Sequence, residues 1–142
     1  MFSSWDMTQE IPSFDAIIDD FAFIDDWDEK YRYIIDLGRR LPALTDAEHS
    51  EENKVRGCAS QVWLVFDEVP GQVSFRGDSD AAIVKGLVAL MISLFSGKTQ
   101  AEIAATDAEA KLAEIDLKEH ITPQRSNGVA SMIKRIKAAA AS

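Results

Sequence analysis

The sequence predicts an α+β domain: a small antiparallel sheet of about three strands, flanked by helices at both ends of the chain. Three observations carry this. Apolar residues recur at helical spacing in Phe14, Ile17, Ile18 and Phe21. The period then drops to two, with Val62, Leu64 and Phe66 on one side and Trp63 and Val65 on the other. Beyond Asp80 it returns to a long helical run.

The elements follow in order. Ser13 is placed to cap the first helix, because its hydroxyl can accept one of the free N–H groups at a helix start. Asp26 with Glu29 resembles a capping box for a second helix, with Tyr31, Ile34 and Ile35 as its apolar face and Gly38 as its end. Leu41-Pro42 breaks the pattern, and Thr45 to Asn53 is polar with room for one turn capped by Thr45. Lys54 to Arg56 is expected as a short strand, and Gly57 to Ser60 as the turn leading into the Val62 strand. Pro70-Gly71 marks the hairpin turn, and Val73-Ser74-Phe75-Arg76 returns.

Asp78 or Ser79 is expected to cap the next helix, in which Ile83 to Phe95 is apolar almost all round, with Lys85 its only charge before Gly97. Such a helix is buried rather than amphipathic. Thr99 with Glu102 and Thr106 with Glu109 match capping boxes for two short helices. Val129, Met132, Ile133 and Ile136 mark a last helix starting after Ser126 and fraying into an alanine tail. With no internal repeat and no linker, residues 1–142 read as one domain.

The chain carries 46% apolar and 27% charged residues, the balance of a globular protein. No stretch approaches the roughly 18 apolar residues of a membrane span. Met1 to Asp6 shows no basic region before an apolar one, so no export signal is expected. With one cysteine, a reducing cytoplasm is the expected location. The net charge of −9, from 24 acidic and 15 basic residues, repels phosphate backbones and argues against nucleic-acid binding.

Cys58, the single cysteine, follows Gly57 at a loop tip. One thiol cannot staple its own chain or hold a structural zinc, so it is either a small buried filler or a group used for its sulfur chemistry. Lys54 and Arg56 are near enough in sequence to favour a thiolate. Pairing Cys58 with His49 or His120 would give the thiol–imidazole unit of a cysteine hydrolase, although the spacing specifies neither. Gly77-Asp78-Ser79-Asp80 precedes a helix, where free amides attract anions, but its aspartates suit capping better than phosphate. No cluster of cysteine and histidine with metal-ligand spacing is present.

Gly57-Cys58-Ala59-Ser60-Gln61-Val62-Trp63, Gly77-Asp78-Ser79-Asp80-Ala81-Ala82-Ile83-Val84-Lys85-Gly86 and His120-Ile121-Thr122-Pro123-Gln124-Arg125-Ser126-Asn127-Gly128 occur in this order. Together these three segments resemble the SufE family of sulfur-acceptor proteins. Glu29 to Gly38 followed by Leu41-Pro42 fits as well, so the similarity runs from about Phe14 to Ala138. Residues 1–12 stand outside it and read as a variable extension.

The resemblance implies a fold shared with IscU-type scaffolds and a role in iron–sulfur cluster assembly. Its implied partner is a cysteine desulfurase, SufS- or CsdA-like, whose persulfide sulfur passes to Cys58 and then to a cluster scaffold. Pyridoxal phosphate would belong to the desulfurase, and this chain would hold no cofactor or metal of its own. Ser60 and Gln61 flank the thiol, and Asp80, His120 and Arg125 lie in matching motifs that can line its pocket or a docking face. A scaffold role is disfavoured, since a cluster takes several thiolates. A cysteine hydrolase, a desulfurase-binding module with an inert thiol, and a homodimer stay open at this stage.

Overall fold

Residues 11–141 are described by a computed structural model of the chain. Helix α1, Phe14–Ala22, starts where the Ser13 hydroxyl accepts the Ala16 N–H at 3.2 Å, and it buries Phe14, Ile17 and Phe21. Helix α2, Trp27–Arg39, starts at Asp26, whose carboxylate accepts the Glu29 N–H at 2.8 Å. Gly38 does not end α2. It lies inside the last turn, buried against Gly86, so that two helix backbones touch.

The sheet has two strands among the described residues rather than about three. Strand β1, Val62–Val69, pairs antiparallel with β2, Gln72–Ser79, from Val62 opposite Ser79 to Val69 opposite Gln72. Gly71 takes φ +78° in the turn, a conformation a Cβ disfavours. The segment expected as a third strand makes only a bridge: the Val55 N–H donates to the Val62 carbonyl, and the Leu64 N–H to the Asn53 carbonyl, both at 2.8 Å. A turn at residues 51–53 and Gly57 at φ +89° bound that pairing and leave no room for a ladder.

Helix α3, Ala82–Phe95, is the centre of the core, with Leu87, Val88, Leu90, Met91 and Phe95 almost wholly buried between α2 and the hairpin. Its N-cap is Ala81, not Asp78 or Ser79, which close β2 and serve other bonds. Thr99 and Glu102 form the expected reciprocal box at α4, Gln100–Ala105. Helix α5, Ala108–Ala113, is capped by Asp107 instead of Thr106, whose hydroxyl donates back to the Glu102 carbonyl at 2.7 Å.

A 3-10 turn, Lys118–His120, leads into helix α6, Pro123–Ala141. This helix begins three residues before Ser126, at a proline whose missing N–H costs nothing at a first helical position. The Thr122 hydroxyl takes the Arg125 N–H at 3.2 Å. The alanine tail does not fray over the described residues: alanine is the strongest helix former, and Ala140 is buried.

The Thr45–Asn53 segment is stapled over the outer face of the hairpin. Arg76 holds both Glu48 carboxylate oxygens, at 3.1 and 2.6 Å, and both of Asp67, at 3.0 Å. Beside it His49 stands edge-on to Trp63, with Nδ1 2.8 Å from the Thr45 carbonyl and Nε2 2.7 Å from the Asp78 carboxylate. Both partners are acceptors, so the imidazolium satisfies this site best. The Asp78 bond first, and the Thr45 carbonyl next, hold the His49 pKa above its ordinary value. Burial alone would push Asp78 up, but its bonds from His49, the Ser79 N–H and Lys85 outweigh that and keep it low.

A raised folded-state pKa means that the His49 contribution is complete below about pH 6.5 and is lost as pH rises through the raised value. Urea midpoints measured at about pH 6 and about pH 8.5 are therefore expected to fall with pH in the wild type. The fall should be smaller in His49→Gln. Equal slopes for the two proteins would refute the assignment.

Candidate functional site

Cys58 sits on the loop between the Lys54 bridge and β1, and the chain turns into it through Gly57. Two independent features reserve position 57 for glycine. Its φ is +89°, and a Cβ there would come within 2.5 Å of Ser131 Oγ on α6. Gly57→Ala is expected to cost about 1–2 kcal/mol for the backbone alone. Adding Ser131→Ala should recover only the steric part, and a double-mutant cycle in urea reads the difference.

Downstream, the loop is pinned at Gln61. Its N–H donates to the Asp80 carboxylate at 3.1 Å, and its carbonyl accepts the Ser79 hydroxyl at 2.7 Å and the Asp80 N–H at 3.3 Å. Asp80 is therefore a brace for the thiol loop, not a cap for α3. Ser79 is the buried polar side chain of the described residues, and this bond satisfies it.

Below the loop runs α6. The half-buried thiol of Cys58 points at the Gly128 carbonyl, with Sγ 3.6 Å from the oxygen. Gly128 carries no side chain between them; a Cβ there would lie 3.5 Å from Sγ. Beside the sulfur is a cavity of about 20 Å³, roughly the room one water molecule needs. Val84 and Leu87 of α3 and Met132 of α6 make its apolar wall, and Ser60, Gln124 and Arg125 complete the lining.

Burial pushes the Cys58 thiol up from its ordinary pKa, so the resting group is the protonated thiol. The assistance expected from Lys54 and Arg56 is not provided: Lys54 Nζ is 3.6 Å from Glu51, and Arg56 is exposed.

The structure thus gathers Cys58, Ser60 and Arg125 around one cavity and places Gln61 and Asp80 as the loop's hold. It does not bring in His120. That ring stacks on Trp27 at 4.0 Å and 10°, its Nδ1 is 3.0 Å from the Asp116 carbonyl, and its own carbonyl accepts the Tyr31 hydroxyl. His49 is committed to Asp78. Neither histidine lines the thiol cavity, so the described structure offers no thiol–imidazole pair.

Sequence reasoning reads Met132 only as part of the last helix's apolar face and Gly128 only as part of a matching segment, and it places neither beside the thiol. The available signal is a glycine within a helical pattern, a costly choice unless something approaches closely. Among the described residues, no three His, Cys, Asp or Glu side chains converge as a metal would need, and no helix is long and apolar enough to cross a membrane.

These features define a small α+β domain that presents one loop-borne thiol beside an atom-sized recess with one apolar wall. Comparison with known proteins identifies the class more closely. Residues 15–140 match the SufE family, described as an Fe-S metabolism associated domain. An uncharacterized SufE-like protein of Rhizobium etli is 54% identical over 129 residues, covering 88% of this chain and 87% of the relative. Another, of Rhizobium meliloti, is 51% identical over 132 residues, covering 90% and 94%. The solution structure of a hypothetical protein from Thermus thermophilus superposes with a TM-score of 0.73 at 16% identity, over 93% of this chain and 96% of that one, and so shares the fold. The chain belongs to the SufE family. Membership supports a role in iron–sulfur metabolism and sulfur transfer.

Proposed function

We propose that this protein is a sulfur carrier that accepts sulfane sulfur on Cys58 from a cysteine desulfurase and hands it to an iron–sulfur scaffold. The observation that carries the reading is the recess beside Sγ, apolar on one wall and about the size of one further atom. A persulfide adds one sulfur to a thiol, and a recess of this size beside Sγ offers that atom room against an apolar wall.

In the transfer step the Cys58 thiolate attacks the outer sulfur of the desulfurase persulfide. A new S–S bond forms at Cys58, the old S–S bond breaks, and the desulfurase cysteine leaves as thiolate. The step is an exchange with no net oxidation, like thiol–disulfide exchange. Pyridoxal phosphate chemistry, which generates the first persulfide, stays on the partner. Because the resting thiol is protonated, docking must expose it and favour the thiolate. Ser60 and Arg125 line the recess and are assigned to the terminal sulfur or the docking partner, while Gln61 and Asp80 set the loop's path. His120 has no role in this reading. One cysteine suits a carrier, since a second nearby would resolve the persulfide into a disulfide.

The test is intact mass without reductant after incubation with a cysteine desulfurase and L-cysteine. A gain of about 32 Da, one sulfur atom, is expected for the wild type. No gain beside a desulfurase that turns over would sink the reading.

A further inference from the structure

The face of α6 that carries Gly128 also carries Ser131 and Arg135, at i, i+3 and i+7, and all three meet the thiol loop. Gly128 offers its carbonyl to Cys58, and Ser131 packs against Gly57. Arg135, two turns further on, reaches the loop's upstream arm. Its Nη1 donates to the Lys54 carbonyl at 3.0 Å and its Nη2 to the Glu52 carbonyl at 2.8 Å. Among the described residues, no carboxylate forms an ion pair with it. A planar guanidinium bonded to two main-chain carbonyls fixes their relative orientation, which a flexible ammonium cannot do.

We infer that Arg135 is a positioning residue for Cys58: by tying the Glu52 and Lys54 carbonyls to α6, it sets the register in which the thiol comes down on Gly128. The loop then has two fixed ends, the Arg135 clamp upstream and the Ser79–Asp80 hold on Gln61 downstream. Opening is confined to Gly57–Ser60, so the thiol can swing out and return to the same recess. Its benefit to sulfur transfer rests on the carrier reading above; its effect on the thiol does not.

The experiment compares the wild type with Arg135→Ala, Arg135→Lys and Lys137→Ala. Lys137 is the internal control, since its Nζ donates to the Thr106 carbonyl at 2.7 Å from the same helix but away from the loop. The rate of Cys58 alkylation is measured without desulfurase, alongside circular dichroism and urea midpoints. Arg135→Ala is expected to raise the rate about tenfold, the order set by losing charge-assisted bonds. Arg135→Lys should lie between, and Lys137→Ala should match the wild type despite a similar loss of stability.

Wild-type alkylation in Arg135→Ala would overturn the proposal, and so would equal acceleration in Lys137→Ala. If Arg135→Ala does not fold, Arg135→Lys decides: a rate above that of Lys137→Ala supports the clamp, and an equal one refutes it. A wild type that gains no sulfur while Arg135→Ala still alkylates faster would sink the carrier reading and leave the clamp standing.

Discussion

Gly86→Val is expected to leave no cooperatively folded domain. At this point α2 and α3 touch through their backbones, and a Cβ on Gly86 would overlap the Ile34 carbonyl oxygen and Cγ2, with the carbonyl carbon at 2.7 Å. From the other side, a Cβ on Gly38 would lie 2.7 Å from the Gly86 nitrogen and 2.9 Å from the Lys85 carbonyl carbon. Backbone atoms cannot rotate away as a side-chain tip can, so the helices must separate. Ile34, Leu37, Leu87 and Leu90 would lose their packing together, since each is almost fully buried. Even Gly86→Ala should cost about 3 kcal/mol or more, at the upper end of overpacking effects. Urea unfolding followed by circular dichroism measures it. A midpoint for Gly86→Ala close to that of the wild type would show that the helices can part cheaply.

Cys58→Ser is expected to abolish sulfur acceptance completely while leaving the domain folded. The hydroxyl can still donate to the Gly128 carbonyl, and the smaller oxygen fits where sulfur fitted. An alcohol, however, is not ionised near neutral pH and forms no stable equivalent of a persulfide. In the mass experiment the variant should show no gain beside a fully modified wild type. Unfolding free energies should differ by less than about 1.5 kcal/mol, the scale of one hydrogen bond. Desulfurase turnover separates two roles for the protein. Stimulation by Cys58→Ser equal to the wild type would mean that docking alone activates the partner, and with no mass gain on the wild type it would mean that the thiol is inert.

Much of this molecule is written locally. The helical spacing of Phe14, Ile17 and Phe21, the Ser13 and Thr99 caps, the Pro70-Gly71 turn and the apolar run of α3 are each legible within a few residues. Their determinants, side-chain periodicity and short-range capping bonds, act over one or two turns of chain. Capping is misread where two candidates stand side by side. Asp107 takes the place of Thr106, while of the two candidates before α3, Ser79 is drawn to Gln61, 18 residues away, and Asp78 to His49 and Lys85.

The thiol is likewise legible, because a lone cysteine behind a glycine has few structural uses. Its surroundings are not. Gly38 looks like a helix stop and proves to be a point of backbone contact, since only the approach of α3 tells the two roles apart. By itself the sequence determined the fold class and the order of the main elements, and it singled out the thiol to which the proposal assigns the chemistry. The tertiary structure decided what that thiol rests on: a carbonyl 70 residues away, a recess lined by α3 and α6, and an arginine at long range that holds the loop's upstream arm. These belong to the second group because packing between distant segments creates them, and no local spacing encodes which faces will meet.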